Sequence, residues 1–265
     1  MTKKQRPLKE EGALLDMLVG GTNDDKNESG ACEPHYLGHR ERLRQKLLAL
    51  GGEALPDYEL MELVLMQAIP RKDVKPLAKE IIRVFGSFAG ALTAEPEELR
   101  KVNGVKDATI ALFAVIREAA VRMLKNQASE APVINNWEAI VSYCRAAMGR
   151  RKIEVFRVLF LDSKNRLIRD EVLQEGTVNQ TMIYPREIAK RALELSAVSL
   201  IMVHNHPAGD LKPSKNDVIM TKAVEDALRT INVTLLDHLI VAKSGYVSFK
   251  ERGYLKSPLH RSAAQ

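Results

Sequence analysis

A change in hydrophobic period divides this chain and limits what it can fold into. From His39 to Lys125 apolar residues recur at helical spacing in RERLRQKLLAL, DYELMELVLMQA, VKPLAKEIIRVFG and TIALFAVIREAAVRML, with Gly-Gly, Pro-Arg and Phe-Gly breaks between them. After residue 132 the pattern alternates instead. EVFRVLFLD and RLIRDEVL read as strands around the turn DSKN, and VSLIMVHNH reads as a buried strand. PREIAKRALELSA reads as a helix with Pro185 in its first turn, Ser214 to Ile231 as a second helix, and LLDHLIVA and YVSF as further strands. The spacing predicts an all-helical module over 36–125, a linker at 126–132 (NQASEAP) and an α/β (α+β) domain with a mixed sheet over 133–256. Residues 1–35 are polar and lack a sustained apolar period, which predicts a disordered tail, and 257–265 form a second tail.

Composition narrows the class of protein. Cys32 and Cys144 are the only cysteines, so neither a disulfide framework nor a thiolate metal site can be assembled within one chain. The apolar runs VLFL and SLIMV fall far short of the about 20 residues needed to span a bilayer, and no signal-peptide segment follows the basic N-terminus. The expectation is a cytoplasmic protein with no membrane partner. Net charge is +6 and the isoelectric point about 9.2, a balance that permits contact with a polyanion without requiring it. Two basic clusters stand out, Arg40, Arg42, Arg44 and Lys46 in one and Arg150, Arg151 and Lys152 in the other.

The chemistry concentrates in VHNHP. Strand side chains alternate faces, so His204 and His206 leave the carboxyl end of SLIMV on the same side. Two imidazoles then converge on one point, and neutral imidazole is a common zinc ligand. On the following helix Asp217 lies one turn before Met220, on the stripe that continues through Val224 and Ile231, so its carboxylate faces inward. Ser214 and Asp217 also spell a capping box, which needs no metal, and both roles stay open at this level.

The stretch His204-Asn-His206-Pro-Ala-Gly-Asp-Leu-Lys-Pro-Ser214-Lys-Asn-Asp217 resembles the JAMM motif of MPN-type metalloproteases: His-x-His, seven residues, Ser, two residues, Asp. GTVNQTMIYPREIAKRALE before it and LLDHLIVAKSGYVSFKERGYL after it are similar to the bacterial RadC family, and the resemblance spans residues 36–256. It implies one zinc per chain held by His204, His206 and Asp217, with the fourth position open as in catalytic sites. It also implies Glu154 as general base, with Glu171, Glu175 and Glu187 as substitutes, and Ser214 as hydrogen-bond donor to a tetrahedral oxyanion. Asp237 and His238 belong to the family pattern as well. Asp237 is read as a group behind the ligands that orients an imidazole, with a purely structural role as the alternative. The family usually has Ser where this chain has Ala208.

The activity implied is zinc-dependent hydrolysis of a peptide or isopeptide bond in a protein or peptide substrate. A DNA-associated repair adaptor without peptidase activity and a single-metal nuclease are the alternatives. Zinc deaminase chemistry is disfavoured, because no H-x-E is paired with C-x-x-C. In the helical module EELRKVNGVKDATIALF resembles a helix-hairpin-helix, whose glycine turn offers backbone N–H groups to DNA phosphate. Lys106 stands where the second glycine is usual. This degenerate copy implies either weak, sequence-independent DNA contact or a packing role. Oligomeric state is not legible.

Overall fold

A computed structural model describes residues 35–176 and 184–255. The expected tails, 1–35 and 257–265, fall outside the described residues apart from His35, which opens the first helix.

The helical module comprises α1 (His35–Leu50), α2 (Asp57–Ala68), α3 (Lys75–Phe85), the short α4 (Phe88–Leu92) and α5 (Pro96–Leu99), and α6 (Asp107–Glu130). The apolar stripes of these helices close one core around Met61, Leu65, Ile81, Leu99 and Phe113. The first basic cluster is only partly a surface patch, with Arg42 and Arg44 exposed. Arg40 is buried, and its guanidinium donates to the carbonyls of Ile69 (3.0 Å), Pro70 (2.5 Å) and Lys72 (2.7 Å), which follow the end of α2. Carbonyls beyond a helix end lack intrahelical donors, and one guanidinium serves three of them. Arg44 pairs with Glu41, and Lys46 with Glu59.

In the hairpin-like segment Gly104 has φ of 94°, a conformation that side chains with a Cβ rarely adopt. Lys106 has φ of −124° as the residue preceding α6, so no glycine is required there. Val105 between them is buried in the module core.

The helix α6 departs from the expected linker. It continues through Asn126 to Glu130 and ends only ahead of Pro132. Its last turns belong to the second domain: Ala128 is fully buried in that core, with Val121 and Leu124 packed on it. NQASE is polar in composition, but it contains good helix formers and one small residue at the packing position, and burial of that face extends the helix.

The second domain begins with a helix not anticipated above, α7 (Trp137–Met148), whose Ile140, Cys144 and Met148 lie on one buried face. Then come β1 (Glu154–Leu161), β2 (Leu167–Gly176), α8 (Pro185–Glu194), β3 (Ser199–Asn205), α9 (Lys215–Thr230), β4 (Thr234–Ala242) and β5 (Gly245–Ser248). The sheet order is β2-β1-β3-β4-β5. β3 and β4 are parallel, joined through α9, and the other pairs are antiparallel, which makes the sheet mixed as expected. Alternation separates two cores. Val155, Leu159, Ile201, Val203, Leu239 and Val241 face α7. Phe156, Val158, Phe160, Leu200, Met202 and Ile240 face α8 and α9. His204, two residues after Met202, therefore emerges on the α9 side, against the helix that carries Asp217. β3 is buried along its whole length, which makes it a rigid platform.

Candidate metal centre

His204 Nε2 and His206 Nε2 stand 3.0 Å apart. Asp217 Oδ1 lies 3.5 Å from the first and Oδ2 lies 3.5 Å from the second. Among the described residues this is the group of three potential ligands whose donor atoms all fall within 4.8 Å of one another. Zinc bonds of about 2.0–2.1 Å in a tetrahedron set neighbouring donors about 3.3 Å apart, so the donor set fits that ion.

The hydrogen bonds behind the ligands determine where the protons are. Thr221 Oγ1 donates to the carbonyl of Asp217 at 2.6 Å, which commits its single hydrogen. It must then accept from His238 Nδ1, also at 2.6 Å. His238 Nε2 is left as an acceptor and receives Nδ1–H of His204 at 2.8 Å. His204 Nε2 thus carries a lone pair toward the centre. The same holds for His206, whose Nδ1 donates to the carbonyl of Asp210 at 2.6 Å. Gly209, with φ of 83°, lets the His-Pro-Ala-Gly turn double back so that this carbonyl reaches the ring. Two imidazole lone pairs and a carboxylate converge without an intervening donor, an arrangement that a cation relieves.

The electrostatics agree. Burial works against ionisation of Asp217, but the facing His204 and His206 rings, which can donate to it only when protonated, together with the Ser214 N–H, outweigh it and hold the carboxyl far below the usual range. The Asp217 hydrogen bond raises His206 above its ordinary value against the opposing effect of burial, with a smaller contribution from Glu154, so a proton and a cation compete for the same Nε2. Burial pushes His238 well below its ordinary value, and His204 adds to the shift, which keeps His238 neutral in its relay position.

The capping box is formed, and it coexists with a carboxylate turned toward the histidines. Ser214 caps α9, accepting from Asp217 N at 3.1 Å, while Asp217 Oδ2 accepts from Ser214 N at 2.7 Å. The capping box fixes the rotamer that also turns the carboxylate to the histidines.

Glu154 opens β1. The register pairs Phe156 with His204, and two residues earlier in an antiparallel ladder puts Glu154 opposite His206 on the same face. It is half-buried and makes no ion pair among the described residues. The other carboxylates weighed for its role are engaged: Glu171 with Arg191 at 2.5 Å, Glu175 with Arg151 at 3.4 Å and Glu187 with Arg186 at 3.3 Å. Ala208 is exposed on its turn.

Asp237 is placed differently from the orienting role read for it. Its carboxylate accepts from Ser248 Oγ (2.5 Å), Lys250 N (2.9 Å) and His238 N (2.7 Å), so it ties β4 to the end of β5. The side chains that orient His204 are its neighbour His238, which the sequence placed in the family pattern without a role, and Thr221, which sequence reasoning missed. Alternation carried the signal, since β4 sends Asp237 and His238 to opposite faces. Asn205 was also missed. It is buried between the two histidines in sequence, and its amide accepts from Val155 N (2.8 Å) and donates to the carbonyls of Arg151 (3.1 Å) and Ile153 (3.0 Å). It pins the chain on both sides of Glu154.

A mixed five-stranded sheet with His-x-His at a strand end and an inward Asp on the next helix defines a JAB-domain protein carried behind a helical module. Residues 134–254 match the family model described as RadC-like JAB domain, and 35–111 match the one described as UPF0758 N-terminal. A UPF0758 protein of Ruegeria pomeroyi is 48% identical over 223 residues, covering 84% of this chain and 100% of its own length. One from Rhodobacter capsulatus is 47% identical over 213 residues, covering 80% and 100%. The chain belongs to the RadC (UPF0758) family. No described helix is long and apolar enough to cross a membrane.

Proposed function

We propose that this protein is a zinc-dependent hydrolase that cleaves a peptide or isopeptide bond. The observation that carries the reading is the convergence of His204 Nε2, His206 Nε2 and the Asp217 carboxylate as lone pairs at 3.0–3.5 Å, each locked from behind. A zinc ion held by these three residues would supply Lewis acidity, polarising a carbonyl and acidifying water.

The chain's own groups divide the remaining work. Glu154, across the ladder from His206, takes the proton of the attacking water and returns it to the leaving amine. Its half-burial without a counter-ion among the described residues suits a base. Ser214 holds Asp217 through its oxygen, and its hydroxyl hydrogen is available to a developing oxyanion. His238 and Thr221 keep the proton of His204 on Nδ1.

The test couples elemental analysis of the purified protein to cleavage of a peptide library. Zinc at about one equivalent per chain, with cleavage that is lost on chelation and regained with zinc, supports the reading. Stoichiometric iron, no metal, or cleavage of DNA in place of peptides overturns it.

A further inference from the structure

Two cavities lie where the helical module meets the JAB domain, and they form one groove. The first, about 320 Å³, reaches His206 and Pro207 and is walled by Phe85, Ala94 and Lys243. The second, about 580 Å³, extends away from the centre to Arg117 on α6, Tyr143 on α7 and Asp170 on β2. Thr93, Glu95, Arg150 and Arg151 line both, so the groove is continuous from the ligand His206 to the far side of α7. Its length and polar walls suit an extended chain better than a compact apolar ligand.

Charge gives the groove its selectivity. Some of its cations are already used: Lys152 pairs with Glu98 at 3.0 Å across the two modules, Arg122 with Glu118 at 2.7 Å, and Arg157 and Lys125 with Asp170 at 2.7 Å and 3.0 Å. Arg117, Arg150 and Lys243 have no ion-pair partner among the described residues, and they are distributed along the groove rather than gathered at one end. On the opposing side only Glu95 is similarly unpaired. The floor is fixed. Tyr143 donates to Asp170, Arg157 reaches Tyr143 at 2.6 Å, and the Asn205 amide holds the carbonyls of Arg151 and Ile153. Spaced arginines on a rigid floor bind carboxylates through charge-assisted, paired hydrogen bonds.

We propose that this groove binds the substrate on one side of the scissile bond and selects a polypeptide segment rich in Asp and Glu. The inference rests on the hydrolase reading, because it assigns the groove to the same reaction. A polypeptide fits better than a phosphodiester chain. The unpaired Glu95 stands on the helical-module side, where a backbone charged at every unit meets repulsion, whereas a peptide can space its carboxylates to the free cations.

Binding of a short fluorescein-labelled Glu-Ala repeat peptide to the full chain, followed by anisotropy, tests this without turnover. The Glu-Ala peptide should bind, and a Gln-Ala counterpart should bind about tenfold more weakly or less, the loss expected when charge-assisted contacts disappear. Arg117→Glu with Arg150→Glu should lower affinity by about tenfold or more on the same basis. Lys164→Glu with Lys222→Glu, exposed positions outside the groove, changes net charge equally and should leave binding intact; Arg150→Gln alone should show a smaller loss in the same direction. Equal loss in the control pair, tighter binding of single-stranded oligothymidylate of matched length, or no binding of the Glu-Ala peptide overturns the proposal. Zinc-dependent cleavage that shows no preference for acidic peptides overturns the groove assignment alone. Acidic-peptide binding in a protein that cleaves no peptide overturns the hydrolase reading alone.

Discussion

His204 Nδ1 donates to His238 Nε2 at 2.8 Å, and that direction leaves the lone pair of His204 on the nitrogen facing His206 and Asp217. The bond can run only this way while Thr221 spends its hydrogen on the Asp217 carbonyl. A backbone carbonyl on α9 thereby sets the tautomer of His204 on β3. Thr221→Val keeps the shape but removes both roles of the hydroxyl. Zinc affinity should fall about tenfold to a hundredfold, the usual cost of losing a partner behind a histidine ligand, and Thr221→Ser should restore it. Competition with a chromophoric chelator measures both. Unchanged affinity in the valine variant would remove the relay from the account.

His206→Ala removes one of the three proposed ligands, while the turn held by Gly209 stays exposed and free to relax. Zinc content after dialysis should drop from about one per chain to a small fraction, as expected when an open three-ligand site loses a member. Inductively coupled plasma measurement on both proteins decides it.

Glu154→Gln preserves volume and strand pairing but cannot take a proton. Hydrolysis should fall by about 10²–10⁴-fold, the range typical for a positioned base, with zinc content unchanged. A variant with full turnover moves the base to another carboxylate, and Glu187 on α8, the helix packed on the His204 face, is then the next to substitute, since Glu175 pairs with Val155 on the opposite face.

Asn205→Ala leaves the buried Val155 N–H and the part-buried carbonyls of Arg151 and Ile153 without their partner. A loss of about 2–4 kcal/mol is expected from unmade buried hydrogen bonds. Thermal or urea unfolding reads this. Because the same amide positions the start of β1, kcat should fall while zinc content holds.

Glu171 on β2 and Arg191 on α8 clamp the edge of the sheet to its helix. The Arg191 hydrogen bond holds the Glu171 carboxyl below its ordinary 4.5, against the opposing effect of burial. A depressed carboxylate stabilises the fold above the unfolded-state value and loses that contribution as pH falls through the lower folded value. Glu171→Gln should therefore melt at a lower temperature than the parent at pH 7, and the gap should close as pH drops below 4.5. A gap independent of pH would mean that shape rather than charge couples the two elements.

Apart from α7, which it did not disclose, the sequence by itself determined the order of elements in the second domain, the mixed sheet and the convergence of His204, His206 and Asp217, because each rests on short-range periodicity: two residues on a strand and one turn on a helix. It also carried both roles of Asp217, since a capping box and an inward face are local properties of one helix. Tertiary structure decided the rest. NQASE became the end of α6 only because Ala128 found a core to enter, and Arg40 left the basic cluster only because the end of α2 offered it three carbonyls. His238 displaced Asp237 behind the ligand because the partner of an imidazole depends on which face of β4 meets β3 and α9. That contact joins residues 34 and 17 positions apart, and no local pattern encodes it.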